Sequence, residues 1–187
     1  TIKEYLVKLN ATYIETMEAR KSKWRILLPT PEDWHKVFVA ENSSWFQDAY
    51  ARCRNMHLEN DEVFQNVQTV FETFGTELAL KFLRTDGFAC RLGQVGTAKV
   101  FVEKLLRVFE KYCNGDRAAF EKVFCGSFFA ALANDEKFEN FVKRLEQVRV
   151  EFFNGDRAAF EKVFCDSFFS VLANKEYEDF EKYIKNM

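Results

Sequence analysis

Proline is almost missing from this chain of 187 residues, with Pro29 and Pro31 the only two, and glycine occurs seven times. So few turn formers exclude a collagen-like or linker-rich protein and leave little sequence for loops. Histidine is as scarce. His35 and His57 stand alone, without the HExxH or His-x-His spacing that would set two imidazoles on one metal. The five cysteines (Cys53, Cys90, Cys113, Cys125, Cys165) form no CxxC pair or other zinc-ligand spacing. No Gly-x-Ser-x-Gly elbow or nucleophile–base pairing is present, so no catalytic residue is assigned and the chain reads as a non-enzyme. No metal site or other cofactor is expected either. Long apolar runs are lacking too, which excludes a helical membrane span, and the first residues do not read as a signal peptide. Charge of one sign is missing as well. With 27 basic against 29 acidic residues the net charge is −2, which gives no general attraction to nucleic acid or to an anionic membrane.

What the chain does have is apolar bulk: 48% of its residues are hydrophobic and 22 are Phe, enough for a sizeable core. It also repeats itself. Asn114-Gly115-Asp116-Arg117-Ala118-Ala119-Phe120-Glu121-Lys122-Val123-Phe124-Cys125 recurs letter for letter at Asn154 to Cys165, a period of 40 residues. Ser127-Phe128-Phe129 returns as Ser167-Phe168-Phe169, and Leu132-Ala133-Asn134 as Leu172-Ala173-Asn174. A period of this size is the signature of stacked helical units, each unable to bury its apolar face alone.

In chain order, Ile2, Leu6, Leu9, Tyr13 and Met17 follow a three-four spacing, which predicts a long amphipathic helix over 3–27. Its basic end (Arg20, Lys21, Lys23, Arg25) suits the negative end of the helix dipole, with a docking patch as the alternative. Thr30-Pro31-Glu32-Asp33 launches a short helix with Trp34, Val37 and Phe38 inward, and Asn42-Ser43-Ser44 a second with Trp45, Phe46, Ala49, Cys53 and Met56. Asp61 is expected to cap a helix whose stripe is Phe64, Val67, Val70, Phe71 and Phe74, stopped or kinked at Gly75. Thr76 to Arg84 continues or restarts it, Gly87 ends it, and Gly87 to Gly96 is the least regular stretch. Gly93-Gln94-Val95-Gly96-Thr97 lacks the Lys-Ser/Thr pair of a nucleotide-binding loop and reads as a plain turn before the helix 98–113. Single helices are then expected over 117–133, 135–153, 156–173 and 176–187, with no strand anywhere. Asn-Gly-Asp lacks the alternating oxygen ligands of a calcium loop. It reads instead as a helix stop followed by an N-cap, with Asp116 and Asp156 as the caps.

The expected fold is therefore all-α: an antiparallel helical stack or bundle with two tandem 40-residue helix pairs in its C-terminal half. Residues 1–97 form the N-terminal helical region. Residues 98–187 form the repeat region, with units at about 98–137 and 138–177 plus a terminal helix, in one continuous structural unit. The repeat core is expected at Phe120, Phe124, Phe128, Phe160, Phe164 and Phe168. Cys125 and Cys165, each flanked by Phe, are expected as inert buried thiols. Reduced thiols place the chain in the cytoplasm or nucleus. Two sequons, Asn10-Ala11-Thr12 and Asn42-Ser43-Ser44, leave secretion open, and a secreted form would carry a processed leader upstream of Thr1.

Phe101-Val102-Glu103-Lys104-Leu105-Leu106-Arg107-Val108, followed by Asn114-Gly115-Asp116, resembles part of a cullin repeat over residues 98–187. Phe141-Val142-Lys143-Arg144-Leu145 with Asn154-Gly155-Asp156 echoes it. The 40-residue period is shorter than a five-helix cullin repeat, and nothing like the cullin C-terminal region is present. The resemblance implies a scaffold arm that docks a substrate adaptor, and it carries over no binding residue. The expected function is a non-catalytic protein-interaction scaffold or adaptor whose partner is another protein. The alternatives are a secreted helical-repeat effector that binds a host protein and a carrier of an apolar ligand or lipid.

Overall fold

The computed structural model describes residues 2–27, 56–85, 87–124, 126–174, 182–183 and 185–186. The helices expected from Thr30 and Asn42, His35, Cys53, Cys125 and most of the segment 176–187 lie outside the described residues. Among the described residues every regular element is a helix, so the fold is all-α. The helices are α1 (Ile2–Leu27), α2 (Asp61–Phe74), α3 (Thr76–Leu83), α4 (Phe88–Leu92), α5 (Ala98–Cys113), α6 (Arg117–Val123), α7 (Gly126–Leu132), α8 (Asp135–Glu151), α9 (Arg157–Lys162) and α10 (Asp166–Asn174). The chain divides into two compact units, Thr1–Val102 and Glu103–Met187.

In the first unit α2 buries its stripe at Val63, Phe64, Val67, Val70, Phe71 and Phe74. Its N-cap is Asn60, not Asp61: the Asn60 Oδ1 accepts from Glu62 N at 3.0 Å and from Val63 N at 3.2 Å. A capping side chain must reach back to the second and third helical N–H groups, and Asp61 already sits one residue too far into the turn. Gly75 takes φ 81°, ψ 160°, a region closed to side chains with a Cβ, and so kinks the chain between α2 and α3. The stretch expected to be irregular holds the short helix α4, entered from left-handed Gly87. Rings join these elements, with Phe74 on Phe82 at 5.3 Å, Phe82 on Phe88 at 5.8 Å and Phe88 on Phe101 at 5.1 Å between centroids.

The second unit carries the duplicated sequence, and its two copies adopt matching local structure. Asn114 and Asn154 sit at φ 55° and 48°, and Gly115 and Gly155 at 72° and 75°. Two successive left-handed residues reverse the chain, and an Asn side chain tolerates that region better than most. Gly115 N then donates to Phe109 O and Gly155 N to Arg149 O, both at 3.1 Å, closing the ends of α5 and α8. Both caps form as expected. Asp116 accepts from Ala118 N at 2.8 Å and Ala119 N at 3.3 Å, and Asp156 from Ala159 N at 3.1 Å. Replacing either aspartate by alanine should cost about 0.5–2 kcal/mol. Asp116→Ala should be the costlier, because two donors lose their acceptor. Urea titrations of the two variants check this, and unchanged midpoints would remove the capping account.

The helices expected over 117–133 and 156–173 do not form as single rods. Phe124 leaves the helical region at ψ 76°, and α6 and α7 separate there; α9 and α10 separate at Val163–Cys165. Eight residues of continuous helix span about 12 Å along the axis. Yet Phe120 and Phe128 lie 6.1 Å apart, and Phe160 and Phe168 6.2 Å. The break is what folds the two ends of each Phe series onto one another. Each 40-residue period is thus one long helix and two short ones in place of the expected helix pair.

Phe120, Phe128, Phe160 and Phe168 are fully buried, and Phe164 nearly so. Phe124 is only half-buried, because it occupies the break, although its ring still meets Phe120 and Phe128. Cys165 is exposed, contrary to expectation, since the matching break in the second copy turns it out of the core.

Candidate interaction surfaces

Among the described residues, α1 leaves a row of apolar side chains outside the core over its first two-thirds. Ile2, Leu6, Leu9, Tyr13 and Met17 share one face through their four-three-four-four spacing. They are 82%, 55%, 55%, 63% and 38% exposed. On the order of 600 Å² of surface on these five residues is uncovered, the upper end of what a monomer shows in one patch. In proteins most helical stability comes from packing an apolar face and not from propensity.

The same face is buried further along. Trp24 meets Phe71 edge-on at 6.2 Å, and Leu27 is buried. Lys23 Nζ lies 3.4 Å from Asp61 Oδ1 and 4.3 Å from the centre of the Phe64 ring. Arg20 holds Glu59 with two bonds, Nε to Oε2 at 2.7 Å and Nη2 to Oε1 at 3.0 Å. The basic end of α1 therefore docks within its own unit, and two of its charges are spent on carboxylates at the start of α2 instead of on the α1 dipole. His57 joins the cluster. Its Nδ1 is 3.1 Å from Arg20 Nη2 and 3.0 Å from Glu59 Oε1, so it accepts from the arginine when unprotonated there and donates to the glutamate when protonated.

The hydrogen bond from Arg20 is the main cause that holds the Glu59 carboxyl at about 2; partial burial opposes it and His57 adds to it. A carboxylate with a depressed folded-state pKa contributes stability that is complete above its unfolded value of about 4.3 and is lost as pH falls toward the folded one. The wild type should therefore lose its melting-temperature advantage over Glu59→Gln between about pH 4.5 and pH 2. A gap that stays constant across that window would sink the docking role of this pair. The effect is modest, because the pair is only partly buried and solvent still screens it.

In the second unit a groove of about 490 Å³ runs between α5 and α8. Arg107 reaches Glu139 at 2.6 Å across it. Glu146 receives Arg149 on Oε1 at 2.5 Å and faces Lys111 at 3.2 Å from Oε2, an ion-pair distance without a well-directed hydrogen bond. The Arg149 bond is the largest cause of a Glu146 carboxyl held at about 2. Burial, and then Glu146, push the Tyr112 phenol upward, and its hydroxyl donates a long bond of 3.4 Å to Val142 O. Arg107 with Glu139 and Lys111 with Glu146 already face each other as ion pairs on its walls, so it has less to offer a partner than the α1 stripe.

Two equivalent cations were missed by the sequence reading. Lys104 Nζ donates to Leu132 O at 3.3 Å and also pairs with Asp135; Arg144 Nη1 donates to Leu172 O at 3.0 Å. Lys104 and Arg144 lie one period apart, as do Leu132 and Leu172. Each cation closes carbonyl groups at the end of α7 or α10. The signal was the retained positive charge at that place in the period. Among the described residues no group of three or more His, Cys, Asp or Glu is arranged to hold a metal ion, and no helix is long and apolar enough to cross a membrane. Burial, above all other causes, pushes the Cys113 thiol up to about 12, which suits packing better than nucleophilic work. Asp116 and Asp156 serve as caps, and the six predicted Phe serve as packing; the structure brings none of them to a reactive centre. No family model, curated protein or solved structure matches the chain.

Proposed function

We propose that the chain is a non-catalytic protein-interaction scaffold that uses the outer face of α1 to engage protein. The observation that carries this reading is the exposed stripe Ile2–Leu6–Leu9–Tyr13–Met17, an apolar face on a helix whose base is anchored by Arg20 and Trp24. Anchored helices with such spacing are recognised through their i, i+3, i+4 and i+7 side chains. The resemblance of residues 98–187 to a cullin repeat supports the same reading, as an arm that holds another protein. Free thiols at Cys90, Cys113 and Cys165 fit a cytoplasmic or nuclear setting.

The test is in-cell crosslinking of the tagged full chain followed by mass spectrometry, with a Leu6→Glu/Leu9→Glu variant alongside. Both leucines are exposed, so the variant should fold normally. The reading expects a defined protein, a second copy included, that crosslinks to the wild type and is lost from the variant. The same crosslinked set from both proteins would remove α1 as the contact surface.

A further inference from the structure

We infer that the occupant of the α1 stripe is a second copy of this chain, laid antiparallel over residues 2–13. This rests on the interaction reading above and names its partner. Ile2, Leu6, Leu9 and Tyr13 are spaced by four, three and four residues, a heptad pattern that reads the same in both directions. A two-fold contact uses one patch on both molecules and must match itself when reversed. Antiparallel pairing about the Leu6–Leu9 midpoint sets Ile2 against the partner's Tyr13 and Leu6 against the partner's Leu9, then repeats both in reverse. All four layers are apolar.

Three further observations favour this occupant. The first is charge. Lys3, Asn10 and Thr12 flank the seam, and the antiparallel register puts Lys3 beside the partner's Asn10, so no like charges meet. The second is area. The four seam residues on each copy give a total on the order of 1,000 Å², about what a specific interface has to clear. The third is continuity. The stripe extends the seam that Arg20, Lys23, Trp24 and Leu27 already make with the first unit's own α2 and the residues just before it. A membrane surface fits less well. Over residues 2–18 the charged side chains are Lys3 and Lys8 against Glu4, Glu15 and Glu18, with no basic excess for anionic lipid.

Sedimentation equilibrium of the full chain, from micromolar to hundreds of micromolar, tests the pairing. We expect a monomer–dimer equilibrium. Leu6→Glu should weaken it about tenfold or more, while Val100→Glu, on an exposed site away from the stripe, should leave it unchanged. Thermal unfolding of dilute Leu6→Glu should match that of the dilute wild type, because Leu6 is not part of the monomer core. A monomer at every concentration, or a dimer indifferent to Leu6→Glu, overturns the inference. If the chain is monomeric but crosslinks a different protein through the stripe, the second copy falls and the interaction reading survives. Stripe-dependent binding to phosphatidylserine vesicles, with no protein captured, overturns both.

Discussion

Phe128→Ala should lower the unfolding free energy by about 3–5 kcal/mol, the range for deleting a large buried ring whose site cannot collapse. Phe128 is fully buried and surrounded by other rings: Phe120 at 6.1 Å, Phe124 at 6.1 Å and Phe141 at 5.4 Å. Four aromatic side chains held this closely leave few rotamers free to swing into the cavity. The substitution also abolishes the edge-on attraction between Phe128 and its neighbouring rings, which adds to the cost of the missing burial. Phe124→Ala provides the internal comparison. It removes the same atoms from a half-buried site at the break between α6 and α7 and should cost clearly less. Urea unfolding followed by far-ultraviolet circular dichroism measures both. Equal destabilisation by the two variants would mean that the break is not where the structure places it.

Local features were legible because they rest on local chemistry. Asp116 and Asp156 could be read as caps from three consecutive residues, since an acceptor after a glycine stop has few other uses. The stripe Phe64–Val67–Val70–Phe71–Phe74 was legible from periodicity alone. The break at Phe124 was not, because Val123, Phe124 and Phe128 also continue a helical stripe without interruption. Only the clustering of Phe120 with Phe128, a tertiary event, decides against the continuous helix. Gly126 and Asp166, at equivalent places and both suited to helix starts, were the faint local signal. The same break misplaced Cys165, whose apolar neighbours in sequence are not its neighbours in space.

The candidate site was legible as a pattern and illegible as a surface. Ile2, Leu6, Leu9, Tyr13 and Met17 announce an amphipathic helix, but periodicity cannot say whether the chain itself supplies the face that covers them. Arg20 and Lys23 show the converse. They read as charges for a helix end, and their partners Glu59 and Asp61 are almost 40 residues away in sequence. Compensation between the two copies was likewise beyond sequence pattern. Phe109 packs on Phe120 at 5.4 Å, but its counterpart one period on is Arg149. There Phe153, which replaces buried Cys113, packs on Phe160 at 5.5 Å. The ring moved by one turn of helix, and the pocket stayed filled.

Phe141→Ala should be as costly as Phe128→Ala, about 3–5 kcal/mol, and should act on both copies of the repeat at once. Phe141 is fully shielded on α8 and lies 5.4 Å from Phe128 in the first copy and 6.3 Å from Phe169 in the second. Phe169 in turn touches Phe164 at 5.1 Å and Phe168 at 5.0 Å, which meet Phe160. Phe141 is thus a ring through which one Phe cluster reaches the other. Phe160 instead packs within the second copy, against Phe153, Phe164 and Phe168. Native-state hydrogen exchange separates the two cases, because it reports the opening of cooperative segments one by one. Phe141→Ala should raise exchange in 117–132 and 157–174 together. Phe160→Ala should raise it in 157–174 first and leave 117–123 better protected. Both should leave 61–83, in the other compact unit, near wild-type protection. If Phe160→Ala and Phe141→Ala expose the same amides to the same extent, the second unit is one undivided core, and coupling between neighbouring copies is not what holds it together.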